Sequence, residues 1–471
     1  MMPPAELYPA LALGTGLAGA LGLGLGRRTP ARAAGAARAL LLLAVAAALA
    51  TLAVRPVAAG ALLRFDGAAV LWQALFLAAA VPLALLMPMA SELPAALAAA
   101  ALLGMTLLAS ANHLVLLFIG LELMSLPSYL LVYLLRSQDA AGDAAERRVA
   151  LEAALKYFFA GSAGSALFLF GASVFYGLTG TLAMDPLGMD SPRLELALAF
   201  MGAGALFKLG AAPLHFWLPD VYEASAPELA AFFSTAVKAA GLLFLLRVLA
   251  LLPPAAAGLA SALPALAVAT MTLGNLLALR QTSLQRLLAY SSIAHVGYLL
   301  VGVWAWSASR RAGGPLPAPA SVYVYAAAYL FMSTGAFVAL RLGGLRTRAQ
   351  LAGFAQRRPA LAAFLALMLL SLASVPPTGG FLAKFFVLWD ALKSGGGWLA
   401  AVAAANSVVG LGYYFALIRD LYLQGPTLDT SPDPGPLPTR ARLILAGCAA
   451  PTLLLGLWPG AWRLAAELLS R

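Results

Sequence analysis

The chain has 471 residues, of which 62% are hydrophobic and 10% charged, with a formal net charge of +11 and one cysteine. That composition excludes a soluble globular domain. The lone Cys448 excludes an intrachain disulfide and any multi-cysteine iron–sulfur or zinc site.

Apolar runs of about 20 residues, the length that crosses a bilayer as a helix, recur from end to end. In chain order they predict about fourteen transmembrane helices. The spans lie near 5–26, 38–54, 68–88, 93–110, 112–135, 150–178, 196–219, 228–251, 255–279, 286–306, 321–341, 360–392, 396–422 and 442–465. The stretches between them are too short to form a soluble domain, so the expected fold is a single all-α polytopic membrane domain. The first run carries Glu6 and no preceding Lys or Arg, and Arg27 and Arg28 follow it, which suits an uncleaved first helix rather than a signal peptide. Assigning alternate loops to opposite sides gives 17 cations on one side and 8 on the other. The positive-inside rule therefore puts both termini on the non-cytoplasmic side. It also explains the net charge without nucleic acid. Arg247 lies close enough to the end of its span to snorkel towards the interface.

Four of the five lysines break this segregation: Lys156, Lys208, Lys238 and Lys384 sit inside apolar runs, and only Lys393 has an ordinary loop context. A cation at the centre of a membrane helix costs roughly 2.5–3.5 kcal/mol on insertion scales. Arginine keeps its proton, whereas a buried lysine can lose it, so the choice of lysine points to proton handling. Lys208 is followed by Gly210 and Pro213, and Lys384 is preceded by Pro376, Pro377, Gly379 and Gly380. Each lysine thus adjoins a predicted helix break, and broken helices at membrane depth line cavities that hold water or ions. The breaks fall on the seventh and twelfth spans. Five is odd, so a five-helix repeat would be inverted across the membrane.

Glu122, in LLFIGLELMSLPSYLL, lies mid-span just before Pro127. A buried carboxylate of this kind either packs against a neighbouring backbone or forms an ion pair with a buried lysine. Lys238 lies near the middle of the eighth span. Lys156 follows Glu152 by four residues, so an interfacial i,i+4 pair competes with a proton-carrying role. His295, in AYSSIAHVGYLLVG, lies five spans after Glu122, and a neutral imidazole can both donate and accept in a relay. A hydrogen-bonded core histidine is the competing reading. Gly14, Gly16 and Gly19 match the dinucleotide fingerprint, but within an apolar run and without a preceding strand they read as helix-packing glycines, as do Gly22 and Gly26. His113, His215 and His295 show no metal-ligand spacing, so no metal or cofactor site is expected. The proline-rich stretches 313–319 and 425–438 read as connecting loops.

The segments FKLGAAPLHFWLPDVYEASAP, GNLLALRQTSLQRLLAYSSIAHVGYLL, EAALKYFFAGSAGSALFLFGASVFYGLTGTL and SVPPTGGFLAKFFVL resemble the antiporter-like membrane-arm subunits of respiratory complex I, the bacterial NADH:quinone oxidoreductase, most closely those of the N type. The resemblance covers roughly residues 100–420. It implies fourteen helices with two inverted five-helix repeats, spans 4–8 and 9–13, each with a broken helix. The implied boundaries are three N-terminal helices in 1–92, a first repeat in 93–252, a second in 253–425 and a last helix in 440–471. It implies a proton-translocating subunit in a bacterial plasma membrane, bound to other membrane-arm subunits and to internal water. FMN, iron–sulfur clusters and quinone would lie on other subunits. By motif, Glu122 takes the place of the family's key glutamate and Lys208 that of its paired lysine. Lys238 takes the place of the central lysine, and Lys384 that of the lysine on the second broken helix. Where the family reads close to YEGAPTP, residues 222–228 are YEASAPE, which changes the loop that follows the first break. Two alternatives share much of this pattern: a large subunit of a multi-subunit Na⁺/H⁺ antiporter or related hydrogenase arm, and a non-pumping spacer. Retention of all four buried polar positions argues against the spacer.

Overall fold

The computed structural model describes residues 14, 30–52, 58–88, 91–139, 143–184, 191–253, 258–313, 319–425, 437–458 and 460–469. The expected first span (5–26), with its glycine pattern, and most of the two proline-rich connections lie outside the described residues.

The chain is almost entirely helical. Its helices are α1 (Pro30–Leu52), α2 (Gly67–Leu86), α3 (Leu93–Ser110), α4 (Leu114–Asp139), α5 (Ala144–Thr179), α6 (Pro192–Leu209), α7 (Trp217–Ala224) and α8 (Pro227–Ala250). They continue with α9 (Gly258–Ala278), α10 (Leu284–Arg311), α11 (Ala320–Gly343), α12 (Pro359–Leu372), α13 (Gly379–Lys393), α14 (Gly397–Leu423), α15 (Thr439–Leu457) and α16 (Ala461–Leu469). The described strands are the two-residue pair Ala58–Ala59 and Arg64–Phe65. Among the described residues ten helices are long and apolar enough to cross a membrane. The other expected spans are α1 and the two broken helices, α6–α7 and α12–α13.

Polar residues mark where helices begin. The Asp66 carboxylate accepts from Ala69 N at 2.8 Å and starts α2, Asp143 starts α5, and Ser191 and Ser283 cap α6 and α10. Each satisfies backbone N–H groups that lack an intrahelical acceptor. The final run differs from expectation. Its helix ends at Leu457 and a second helix begins at Ala461, where the sequence places Pro459 and Gly460. Proline lacks the N–H that an uninterrupted helix would need there.

The chain divides into two compact units. The first comprises Met1–Gly210, Ala224–Ala262 and Glu467–Arg471, the second Ala211–Glu223 and Leu263–Ala466. In the first unit α8 is the core, with every residue of its apolar window buried. Just before Lys238 this helix widens into a π turn over Phe233–Val237, a feature often found at functional positions. Arg247, near the end of α8, reaches the start of α2. Its guanidinium donates to Asp66 at 3.3 and 3.4 Å and to Ala109 O at 2.9 Å. The carboxylate lies 181 residues away in the chain, beyond the reach of sequence spacing.

In the second unit side chains of α10 hold residues 220–223 of α7, ahead of the positions that depart from YEGAPTP. Arg286 Nη1 donates to Asp220 at 2.7 Å and to Glu223 at 3.0 Å, and Gln285 donates to Tyr222 O at 3.0 Å. A second charged cluster joins Arg348 and Arg419 to Asp420.

Candidate functional site

Both expected breaks are present, and they share a design. α6 ends immediately after Lys208, with Gly210 in the left-handed conformation (φ 67°) as its cap. The chain then runs without regular helix to Trp217, through a cis Ala212–Pro213 bond. α12 ends at Leu372, Ser374 has φ 62°, and Pro376–Pro377 is cis. Gly379 and Gly380 are not in this second gap but open α13, which carries Lys384. Within the second unit Ala212 N finds its acceptor in Thr270 Oγ1 at 3.0 Å, as a backbone group freed at membrane depth requires.

In the first unit Lys208 is 1% exposed. Its ammonium donates to Tyr129 Oη at 3.0 Å and lies 5.0 Å from the centre of that ring, 5.3 Å from Tyr157 and 5.8 Å from Phe207. Tyr129 stands edge-to-face on Tyr157 at 4.5 Å. This seat exists because residue 161 is glycine: a Cβ there would lie 1.9 Å from Tyr129 Oη. Lys238 is buried on α8. Three residues beyond it, Gly241 is so close to α6 that a Cβ would come within 3.1 Å of Lys208 Cβ. The structure therefore brings Lys208 and Lys238 onto facing helices.

Glu122 is half-buried on α4 and accepts a short hydrogen bond from Ser165 Oγ on α5. No salt bridge joins it to a lysine among the described residues, so a direct ion pair is absent. Glu122 and Tyr129 are seven residues apart on α4, a rise of about 10 Å at 1.5 Å per residue. Lys156 is not in this cluster. It forms the i,i+4 pair with Glu152 at 2.8 Å, and the two side chains are 48% and 66% exposed. That geometry is an exposed i,i+4 pair.

In the second unit Lys384 is 6% exposed. It donates to Ser407 Oγ at 2.8 Å, and its ammonium lies 4.2 Å from the centre of the Tyr298 ring. From there a hydrogen-bonded chain runs through buried groups. Ser407 bonds Tyr298, which accepts from Asn275 Nδ2 at 3.3 Å, and Asn275 Oδ1 accepts from Tyr413 at 3.2 Å. Tyr413 adjoins Tyr414, whose hydroxyl contacts Ser291 and, at 3.2 Å, His295 Nε2. His295 Nδ1 meets Tyr325 Oη at 2.7 Å. Both ring nitrogens of His295 thus have hydroxyl partners.

The lysine-holding tyrosines are absent from the residues singled out by sequence. Tyr129-Leu130-Leu131-Val132 recurs as Tyr298-Leu299-Leu300-Val301, and this repeat was the available signal. In that register Ser291 corresponds to Glu122, and Lys384, like Lys208, has no salt bridge to a carboxylate among the described residues. Among the described residues no three His, Cys, Asp or Glu side chains cluster as metal ligands would.

Residues 111–410 match the family described as NADH:quinone oxidoreductase/Mrp antiporter, transmembrane. The chain is 40% identical over 373 residues to NADH-quinone oxidoreductase subunit N 2 of Rhizobium meliloti, which covers 77% of this chain and 74% of that protein. It is 36% identical over 457 residues to subunit N of Anaeromyxobacter sp., covering 86% and 85%. A chain of respiratory complex I from Thermus thermophilus with bound aureothin superposes with a TM-score of 0.82 at 32% identity, covering 96% of this chain and 97% of that one. A chain of the Mrp complex from Dietzia sp. gives a TM-score of 0.82 at 20% identity, covering 100% and 97%, a likeness of fold.

Proposed function

The chain belongs to the NADH:quinone oxidoreductase/Mrp antiporter membrane family, and from that premise we propose that it is a proton-translocating membrane-arm subunit of an NADH:quinone oxidoreductase. The observation that carries this reading is the pair of lysines, 1% and 6% exposed, each beside a helix break and each held by neutral hydroxyls and rings rather than a carboxylate. An ammonium fixed by a carboxylate resists losing its proton, whereas one held by neutral groups can alternate between charged and neutral. The enzyme of which this chain is a part is a translocase. Its FMN, iron–sulfur clusters and quinone are assigned to other subunits, and this chain supplies the proton path.

In this path Glu122, Lys208, Lys238 and Lys384 act in series, with His295 as relay in the second repeat. Repulsion between like charges in a low-dielectric interior makes protonation of one lysine favour release from its neighbour. The facing of Lys208 and Lys238 across Gly241 supports that coupling. Glu122, bonded to Ser165 and without a direct ion pair to Lys208, is assigned the role of a charge sensor that acts on the lysine through space or through water. Lys156 is assigned to the membrane interface. The chain is divided into three N-terminal helices (1–92), inverted repeats at 93–252 and 253–425, and a C-terminal helix (440–471). Both termini are placed on the non-cytoplasmic side of a bacterial plasma membrane, which the cation asymmetry supports.

The test is the set of subunits that co-purify with the tagged chain from membranes in mild detergent. Hydrophilic NADH-oxidising subunits carrying flavin and iron–sulfur absorbance are the expected result. A set of small membrane subunits with Na⁺-dependent proton exchange and no flavin would overturn it in favour of an antiporter assembly.

A further inference from the structure

Each broken-helix lysine meets the same tyrosine of its own repeat. Tyr129 and Tyr298 open identical Tyr-Leu-Leu-Val segments, on α4 and α10, and each ring centre lies near the ammonium of the lysine two spans later, at 5.0 Å for Lys208 and 4.2 Å for Lys384. The second contact differs. Lys208 bonds the hydroxyl of its tyrosine, whereas Lys384 bonds Ser407 and meets Tyr298 through the ring. What the two sites share is therefore the tyrosine, which offers Lys208 its hydroxyl and Lys384 its aromatic face, and in neither case a charged partner. An aromatic face attracts a desolvated cation through its quadrupole, yet leaves no net charge behind when the cation becomes neutral. A carboxylate in the same place would be left as a buried, uncompensated anion.

We infer that Tyr129 and Tyr298 are repeat-equivalent positioning residues, uncharged tyrosine clamps that hold Lys208 and Lys384 at the helix breaks. The inference rests on the proton-translocating reading of the two lysines. Each clamp supports the charged lysine enough to keep it at the helix break and does not oppose release of the proton. Gly161 makes room for the first clamp, and Tyr157, edge-on to Tyr129 at 4.5 Å, fixes its ring plane.

The test compares Phe with Leu at each position in the intact complex, with Lys208→Ala and Lys384→Ala alongside. Phenylalanine keeps the ring and loses the hydroxyl, while leucine keeps apolar bulk and loses the ring. Tyr298→Phe is expected to retain roughly 30-fold more coupled turnover than Tyr298→Leu, the equivalent of about 2 kcal/mol of desolvated cation–π attraction. The ratio at position 129 is expected to be smaller, because the hydroxyl contributes there. The KM values for NADH and quinone should stay unchanged while kcat falls, which loss of assembly alone would not produce. Phe and Leu variants that both turn over like the wild type would reduce the tyrosines to packing. Phe as damaging as Leu at position 298 would assign the role to the hydroxyl. Either result overturns the clamp. Normal pumping by both Lys→Ala controls would instead overturn the translocation reading itself.

Discussion

Gly161→Ala is the smallest change that reaches Lys208 without touching it. The new methyl would lie 1.9 Å from Oη and 2.7 Å from Cζ of Tyr129. Non-bonded atoms settle near 3.5 Å, so the tyrosine must move by about 1.5 Å. The ring packs edge-to-face against Tyr157 at 4.5 Å and Phe158 at 5.9 Å, so its displacement disturbs these contacts too. The Lys208–Tyr129 bond of 3.0 Å then stretches beyond hydrogen-bonding range. A hydrogen bond to a charged group contributes about 1.5–3 kcal/mol, so coupled turnover should fall about 10- to 100-fold. Overpacking itself costs about 1–3 kcal/mol of stability, so thermal stability and subunit content must be measured beside NADH-driven proton pumping in membrane vesicles. In a Tyr129→Phe background the same alanine should add little to the loss of turnover, because the acceptor is already gone. Wild-type pumping by an assembled Gly161→Ala complex would refute the reasoning from steric displacement to lysine function.

Lys384→Arg keeps the positive charge but cannot release a proton. With assembly and thermal stability normal, it should impair proton pumping nearly as much as Lys384→Ala, and full pumping would show that only a fixed charge is needed. Lys156→Ala removes an exposed pair worth at most about 1 kcal/mol. Turnover and melting temperature should remain close to wild type, and a tenfold loss of turnover would return Lys156 to the proton path. Asp66→Ala removes the cap of α2 and the partner of Arg247 together. The cap alone contributes about 1 kcal/mol, so a lower melting temperature with unaltered turnover per assembled complex is expected.

The lysines and the helix breaks were legible because each violates its surroundings: a cation in an apolar run, or glycine and proline in a helical one. The positions of Gly210, Pro213 and Pro376 needed no tertiary information. Partners were harder to read. Glu122 was open to an ion pair or to a packing role, and only the placement of Ser165 on α5 decides what it touches. Lys156 looked like Lys208 in hydropathy, and exposure separates them. Arg247 sits near a helix end, and its partner Asp66, at the start of α2, was beyond the reach of sequence spacing. The tyrosines escaped notice because the chain has 14 of them and an aromatic residue in a membrane helix is ordinary. The repeated Tyr-Leu-Leu-Val was a four-residue signal whose meaning appears only when a lysine is found against each tyrosine.

The central claim is that this chain moves protons through its buried lysines when its complex oxidises NADH. The most direct measurement is the number of protons translocated per electron in vesicles that contain the fully assembled complex with Lys208→Ala in this chain. A sharp fall in both turnover and proton translocation, with normal subunit content, is the expected result. Assembly with an unchanged turnover and an unchanged proton-to-electron ratio would contradict it.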